Sequence, residues 1–209
     1  MITTFRSDWT EHMSKRLRIV SALAVMATVT ALPAAAQQGA PKGPPTALLI
    51  SGPEVGEDAP DFRLPWASKD SLGAVEDDFV LRKQGGKITV LAFYPRDFTS
   101  GCTAEMRTFT DRYADLFGGD VVVVGISADS LESHRQFAAS VGAPFRLLSD
   151  PAQRVAANYG SKGDNGYNRR TVYVIDARGR VAYRDMRFGA LDPKSYDRLR
   201  AAVRSARGA

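Results

Sequence analysis

Cysteine is nearly missing from this sequence: Cys102 is the only one in 209 residues. A lone thiol cannot close an internal disulfide, so no covalent staple supports the fold. Histidine is almost as scarce, at His12 and His134, and with so few soft ligands the chain cannot assemble a tetrahedral zinc site. No apolar run is long enough to span a bilayer. The longest, Ile19 to Leu32, covers fourteen residues between Arg18 and Pro33, against the roughly 20 that a spanning helix needs. A large excess of one charge is absent too. The formal net charge is +5, no Lys/Arg cluster is interleaved with aromatics, and Arg198, Arg200, Arg204 and Arg207 read as one solvated helix face. Nucleic acid is therefore not an expected partner.

With 44% hydrophobic and 24% charged residues, the chain has enough apolar material for one globular domain with a full core, plus an appendage. The appendage is residues 1–36. Lys15, Arg16 and Arg18 precede the apolar run, and Pro33 and Ala34-Ala35-Ala36-Gln37 follow it. This is the pattern of a secretory signal cleaved after Ala36. Met1 to His12 adds nothing to that pattern, so Met13 serves equally well as a start. Cleavage removes four basic and two acidic residues, which takes the net charge from +5 to +3. The expected destination is periplasmic or extracellular, with no membrane association once the signal is gone. An unpaired thiol in such an oxidising place is captured by other thiols unless it is shielded or used. Residues 37–54 contain Gly39, Pro41, Gly43, Pro44, Pro45, Gly52 and Pro53, the composition of an extended tether, so the folded domain is expected over 55–209.

Within that domain, Phe62 and Leu64 suggest a short strand. The continuous apolar and β-branched runs Ile88 to Tyr94 and Val121 to Ile126 are expected as strands buried on both faces of a largely parallel sheet. Between them Met106, Phe109, Tyr113, Leu116 and Phe117 recur at helical spacing from a start near Cys102. A right-handed crossover follows by rule. A second helix is expected over Leu131 to Val141, ended by Gly142, with His134 exposed on it. Phe145, Leu147 and Leu148 make a third strand, and Pro151 opens a short helix that ends at Gly160. Thr171 to Ile175 and Arg180 to Asp185 flank Asp176-Ala177-Arg178-Gly179 as a hairpin, before a last helix from Pro193 to Ser205. This order suggests a thioredoxin-like α/β fold, a central mixed sheet flanked by helices.

Cys102 falls where the strand ending at Tyr94 gives way to a helix, in Pro95-Arg96-Asp97-Phe98-Thr99-Ser100-Gly101-Cys102. The first turn of a helix presents unpaired N–H groups and the positive end of a dipole, both of which favour a thiolate. Thr99, three residues upstream, can bring a hydroxyl to the same pocket, and Pro95 stiffens the loop and can shield the sulfur. Thiolate formation alone does not make a fast catalyst. Lowering a thiol pKa from about 8.5 to about 6 raises the anion fraction roughly 30-fold at neutral pH, but costs roughly tenfold in intrinsic nucleophilicity. Speed must then come from positioning the substrate and stabilising charge on the departing oxygen, which calls for a fixed cation. Arg170, at the start of the Thr171 to Ile175 strand, is the best placed by topology; Arg169 and Arg96 are weaker claimants.

Four stretches, taken together, resemble a peroxiredoxin of the AhpC/TSA superfamily, in its bacterioferritin-comigratory or PrxQ-like branch. They are Val55-Gly56-Glu57-Asp58-Ala59-Pro60-Asp61-Phe62, Phe93 through Cys102, Gly125-Ile126-Ser127-Ala128-Asp129-Ser130 and Phe145-Arg146-Leu147-Leu148-Ser149-Asp150-Pro151. The resemblance covers about Val55 to Asp185. It implies that Cys102 is the peroxidatic cysteine, Thr99 and Pro95 its pocket partners, Arg170 the arginine that orients peroxide and thiolate, and Glu105 a carboxylate that fixes this arginine. It further implies reduction of hydrogen peroxide or alkyl hydroperoxides with no metal or organic cofactor. One departure changes the mechanism. Many members of the branch carry a resolving cysteine five residues after the first, where this chain has Arg107. One-cysteine chemistry with an external thiol reductant, a small thiol or a thioredoxin-like protein, is then implied, in a monomer or a homodimer.

Two other readings use the same sulfur. A thiol:disulfide oxidoreductase fits a secreted thioredoxin-like domain but lacks its C-x-x-C pair, and a redox sensor would hold Cys102 in a mixed disulfide without turnover. Phe93, Phe98 and Trp66 are candidates to line an apolar pocket for larger hydroperoxides, with core packing the better reading of Phe93.

Overall fold

The computed structural model describes residues 51–74 and 76–208. The expected signal and most of the expected tether lie outside the described residues. The last four tether residues are tied to the domain. Arg184 donates to the carbonyls of Ser51 at 2.7 Å and Pro53 at 3.3 Å, and pairs with Glu54 at 2.5 Å.

In chain order the elements are β1 (Arg63–Leu64), β2 (Trp66–Ala67), β3 (Phe79–Val80), β4 (Thr89–Phe93), α1 (Ser100–Asp111), α2 (Tyr113–Leu116), β5 (Val122–Ser127), α3 (Leu131–Val141), β6 (Arg146–Ser149), α4 (Arg154–Asn158), β7 (Thr171–Ile175), β8 (Val181–Asp185) and α5 (Pro193–Ala206). Six strands form one mixed sheet in the order β2-β6-β5-β4-β7-β8, and β1 pairs with β3 apart from it. The pairs β4/β5 and β5/β6 are parallel, whereas β2/β6, β4/β7 and β7/β8 are antiparallel. This is the mixed α/β architecture expected from the element order.

Strand alternation sorts the core into two layers. Val90, Ala92 and Tyr94 face α1, α3 and α5, in a cluster with Cys102, Met106, Phe109, Phe137 and Leu199. Leu91 and Phe93 face the other way, against Phe62, Phe79, Tyr159 and Tyr173. Because both faces are covered, the central strands read as unbroken apolar runs. In α5, Tyr196, Leu199, Val203 and Ala206 are buried at helical spacing, and Asp192 caps the helix by accepting from Lys194 N at 3.0 Å. Burying a leucine such as Leu199 stabilises by about 1.5–3 kcal/mol.

Four local expectations are corrected. The long helix through Phe117 divides at Arg112, whose φ of −106° and ψ of 19° leave the helical region. The bend lets Phe117 meet Phe109 and Tyr113 edge-on at ring separations of 5.2 and 5.3 Å. The helix expected from Pro151 begins at Arg154. Gln153 takes a left-handed φ of 50°, and the Asp150 carboxylate accepts from Arg154 N at 3.0 Å and Ala156 N at 2.9 Å, capping the helix from outside. Trp66 and Ala67, given no strand by the pattern, form the antiparallel edge β2. His134 is not exposed but fully buried, on the face of α3 that turns towards the start of α1.

Candidate active site

The loop from Pro95 to Thr99 connects the C-terminal end of β4 to α1. Tyr94 N makes the last ladder bond, to Ile126 O at 3.1 Å, and Pro95 has no N–H with which to continue it. The chain leaves the sheet there, and α1 starts at Ser100 with Thr99 as its N-cap. Cys102 is thus the third residue of the helix, where the backbone amides have no intrahelical acceptor. Its side chain is buried in the core cluster that also holds Tyr94, Met106 and Phe188.

Arg170, just before β7, reaches this sulfur across the β4/β7 pairing, which sets Phe93 opposite Thr171. Its Nη2 donates to Cys102 Sγ at 3.3 Å, and its Nη1 bonds Glu105 Oε2. One planar guanidinium therefore links the thiol to a carboxylate one helical turn further along α1. Gly101 makes room for it, since a Cβ at that position would come within 3.2 Å of Arg170 Nη2. Glu105 is fully buried, and its Oε1 has no hydrogen-bond partner among the described residues. Burial pushes its carboxyl up to about 7, against the pull of the Arg170 charge in the other direction.

The remaining candidates are placed less directly. Pro95 is half-buried at the base of the loop. Thr99 is exposed, and its hydroxyl donates to Arg96 O at 3.1 Å, so it makes no bond to the sulfur. Arg96 lies 3.9 Å from Asp129 and 3.3 Å from the Tyr167 hydroxyl, while Arg169 lies 3.8 Å from Asp164. Neither contacts Cys102. Of the aromatic candidates, Phe93 and Trp66 belong to the core layer on the opposite face of the sheet from Cys102. Phe98 alone stays at the site, 55% exposed, with a left-handed φ of 59° and its ring 5.1 Å from that of Phe137.

Beneath the loop lies a buried polar cluster that sequence reasoning missed. Asp97 accepts from Tyr94 Oη at 2.7 Å and Ser133 Oγ at 2.7 Å, and lies 2.9 Å from His134 Nδ1. His134 Nε2 is 3.1 Å from Leu148 O, so both ring nitrogens face oxygen acceptors. The backbone N–H of Asp97 donates to Asp129 Oδ2 at 2.9 Å. Burial, with the nearby Asp97 charge second, pushes the Tyr94 hydroxyl well up from its ordinary range. The cluster clamps the loop onto α3 and the end of β5. Removing either partner leaves the buried polar groups of the other without their hydrogen bonds. His134→Ala and Asp97→Ala are each expected to lower stability by about 1–3 kcal/mol, and the double variant by clearly less than the sum; chemical denaturation of the four proteins measures this.

A family model described as AhpC/TSA matches residues 55–184, a span that holds the loop, Cys102, Glu105 and Arg170. The chain belongs to the AhpC/TSA family. Its curated relatives are peroxiredoxins of the Bcp and PrxQ kind. A putative peroxiredoxin bcp of Coxiella burnetii is 38% identical over 136 residues, covering 62% of this chain and 85% of the relative. The chloroplastic peroxiredoxin Q of Triticum aestivum is 37% identical over 127 residues, covering 55% of this chain and 58% of the relative. Among solved structures, peroxidoxin BcpB of Mycobacterium tuberculosis superposes with a TM-score of 0.63 at 28% identity, covering 73% of this chain and 97% of that one. In this AhpC/TSA chain the one cysteine sits on the helix start, in contact with the one arginine that reaches it among the described residues.

Proposed function

We propose that this chain is a one-cysteine thiol peroxidase that reduces hydrogen peroxide or alkyl hydroperoxides. The observation that carries the reading is the chain of contacts from Cys102 Sγ through the Arg170 guanidinium to the buried Glu105 carboxylate. The Cys102 thiolate attacks one peroxide oxygen; an S–O bond forms, the O–O bond breaks, and the departing oxygen leaves as water or alcohol after taking a proton. The positive charge of Arg170 faces both the sulfur and the oxygens placed on it, so it stabilises charge moving between them. Thr99 commits its hydroxyl proton to Arg96 O and so offers only lone pairs, suited to accept the O–H of a peroxide.

The product is a sulfenic acid. Cys102 is the only cysteine, so an external thiol must displace the hydroxyl as water, and a second thiol must release Cys102 from the mixed disulfide. Thiol:disulfide exchange as the main activity finds no second cysteine to support it. The basic, apolar and small-residue order of residues 1–36 supports export to the periplasm or the cell exterior, with the domain over 55–209 as the working part. No helix among the described residues is long and apolar enough to cross a membrane.

Mass spectrometry of the purified protein treated with peroxide and no thiol tests this. Cys102 is expected to gain one oxygen, trappable by a sulfenic-acid reagent, and then a second as sulfinic acid at higher peroxide. A thiol that stays unmodified would overturn the reading.

A further inference from the structure

Arg170 also lines a cavity of about 800 Å3, together with Ser51, Arg169, Arg184, Met186, Arg187 and Phe188. Among the described residues four arginines line it and no acidic residue does. The chain builds this concentration in two steps. Arg169 and Arg170 precede β7, and Arg187 follows β8, the strand paired beside it; Phe188 N donates to Arg170 O at 3.1 Å, which draws the two ends together. Arg170 is held by Glu105 and Cys102, and Arg184 by Glu54 and the Ser51 and Pro53 carbonyls. The other two are freer. Among the described residues the Arg169 guanidinium has one carboxylate partner, the fully exposed Asp164 at 3.8 Å. Arg187 is exposed, and among the described residues its guanidinium has no carboxylate partner; only its backbone N–H is bonded, to Asp185. Such a concave, cationic wall with unused donors favours a carboxylate over a neutral or cationic group.

The cavity shares two walls with the sulfur's surroundings. Arg170 lines it and touches Sγ, and Phe188 lines it and packs in the same cluster as Cys102. Cys102 itself has no exposed surface, so any reductant reaches the sulfur only as the residues around it give way, and a small molecule needs a smaller opening than a protein surface does. The step that needs a visitor other than peroxide is the reduction of the sulfenic acid.

We propose that the arginine cavity binds the carboxylate of a small acidic thiol and delivers its sulfur to oxidised Cys102, which makes this thiol class the reductant. This rests on the peroxidase reading above. In the step, the thiol sulfur bonds to Cys102 Sγ, the S–O bond of the sulfenic acid breaks, and the hydroxyl leaves as water with the thiol proton. A second molecule of the thiol then takes the first as a disulfide and frees Cys102. Two thiols are oxidised for each peroxide reduced, so the electrons balance.

The test uses the full chain, oxidised with one equivalent of hydrogen peroxide and then mixed with 3-mercaptopropionate or 2-mercaptoethanol. The rate of mixed-disulfide formation is read by quenching and mass spectrometry. Comparing the rate ratio of the two thiols between variants cancels their intrinsic difference in nucleophilicity. Arg187→Ala is expected to lower the ratio of acidic to neutral thiol about three- to fivefold, the size of an exposed charge pair, and Arg187→Glu to lower it further. Salt near 1 M, where screening acts within roughly 3 Å, should shrink the wild-type ratio in the same direction. Arg204→Ala, on the last turn of α5 and outside the cavity, removes the same net charge and should leave the ratio alone. An unchanged ratio in both Arg187 variants overturns the proposal, as does an equal fall in Arg204→Ala. If Arg187→Glu instead slows only the oxidation of Cys102 by a carboxylated hydroperoxide, the cavity serves the substrate, and the reductant assignment is overturned. Absence of any sulfenic acid before thiol is added would signal failure of the peroxidase reading itself, a distinct result.

Discussion

Cys102→Ser is expected to reduce thiol-dependent peroxide consumption to the background of buffer and thiol, a loss on the order of a thousandfold or more. At neutral pH a serine hydroxyl is almost never ionised, and oxygen, far less polarisable than sulfur, is a poor nucleophile towards a peroxide O–O bond. No other cysteine exists to take over. The position is fully buried, and a hydroxyl placed there without a partner would cost about 1–3 kcal/mol. Arg170 Nη2, 3.3 Å from the present sulfur, is a donor within reach of the new oxygen, so the variant is expected to fold with a near-native circular dichroism spectrum. A stopped-flow or electrode assay of peroxide loss, run beside the wild type with the same reductant, checks the rate. Equal rates in the two proteins would remove Cys102 from the chemistry.

The second large effect concerns Arg170. Arg170→Ala removes the one cation in contact with the sulfur among the described residues and is expected to lower kcat/KM for peroxide roughly 10²- to 10³-fold, the range for losing one donor aimed at developing charge. It also leaves Glu105 buried without its partner, which costs about 3–5 kcal/mol when a buried pair is broken. A merely unfolded protein would mimic the kinetic loss. Arg170→Lys separates the two effects. Lysine keeps the positive charge near Glu105 but presents a single ammonium, which cannot bond a carboxylate on one side and the sulfur on the other as the guanidinium fork does. It is expected to recover most of the stability and only part of the rate.

Glu105 adds a pH signature to the same pair. Its carboxyl is raised in the fold to about 7 from an ordinary value of 4.5, with burial as the leading cause. A carboxyl raised in the folded state binds its proton more tightly there than when unfolded. Its contribution to stability is therefore full below pH 4.5 and is lost as pH rises through about 7. The stability of Glu105→Gln relative to wild type is expected to increase between pH 5 and pH 8, since glutamine does not titrate. Thermal denaturation of both proteins across that range measures the difference, and a flat difference would contradict it. The missing partner of Oε1 has the same origin: a carboxylate placed mainly to hold Arg170 has only one oxygen in that task.

Much of this site was readable from the sequence because its signals are local. The strand runs before Cys102 and before Ser127, the helical spacing after it, and the Pro-x-x-x-Thr-x-x-Cys stretch all act within a few residues of one another. Arg170 was reachable by topology, since a strand expected to lie beside β4 must carry its first residues to the loop at that strand's end. His134 was not. Its partner Asp97 lies 37 residues away, and nothing in the pattern of α3 marks which polar residue turns inward to meet it. Thr99 shows the reverse limit. Spacing put its hydroxyl near the sulfur, while a backbone at φ −76° and ψ 150° turned it towards Arg96. Phe93 and Trp66 illustrate a third, because only the strand parities and the β2/β6 pairing decide on which face of the sheet an aromatic ends.

By itself the sequence determined that one thiol, placed at the start of a helix behind a buried strand, has to act alone, because composition and short-range periodicity are properties of the chain. Only the tertiary structure decided what surrounds that thiol. Arg170 lies 68 residues from Cys102 along the chain, and Arg187 is separated from Arg170 by a whole hairpin. These groups meet because antiparallel pairing of β4, β7 and β8 fixes their register. Burial then decides which of the assembled charges holds a proton, and neither pairing nor burial is written into any one segment.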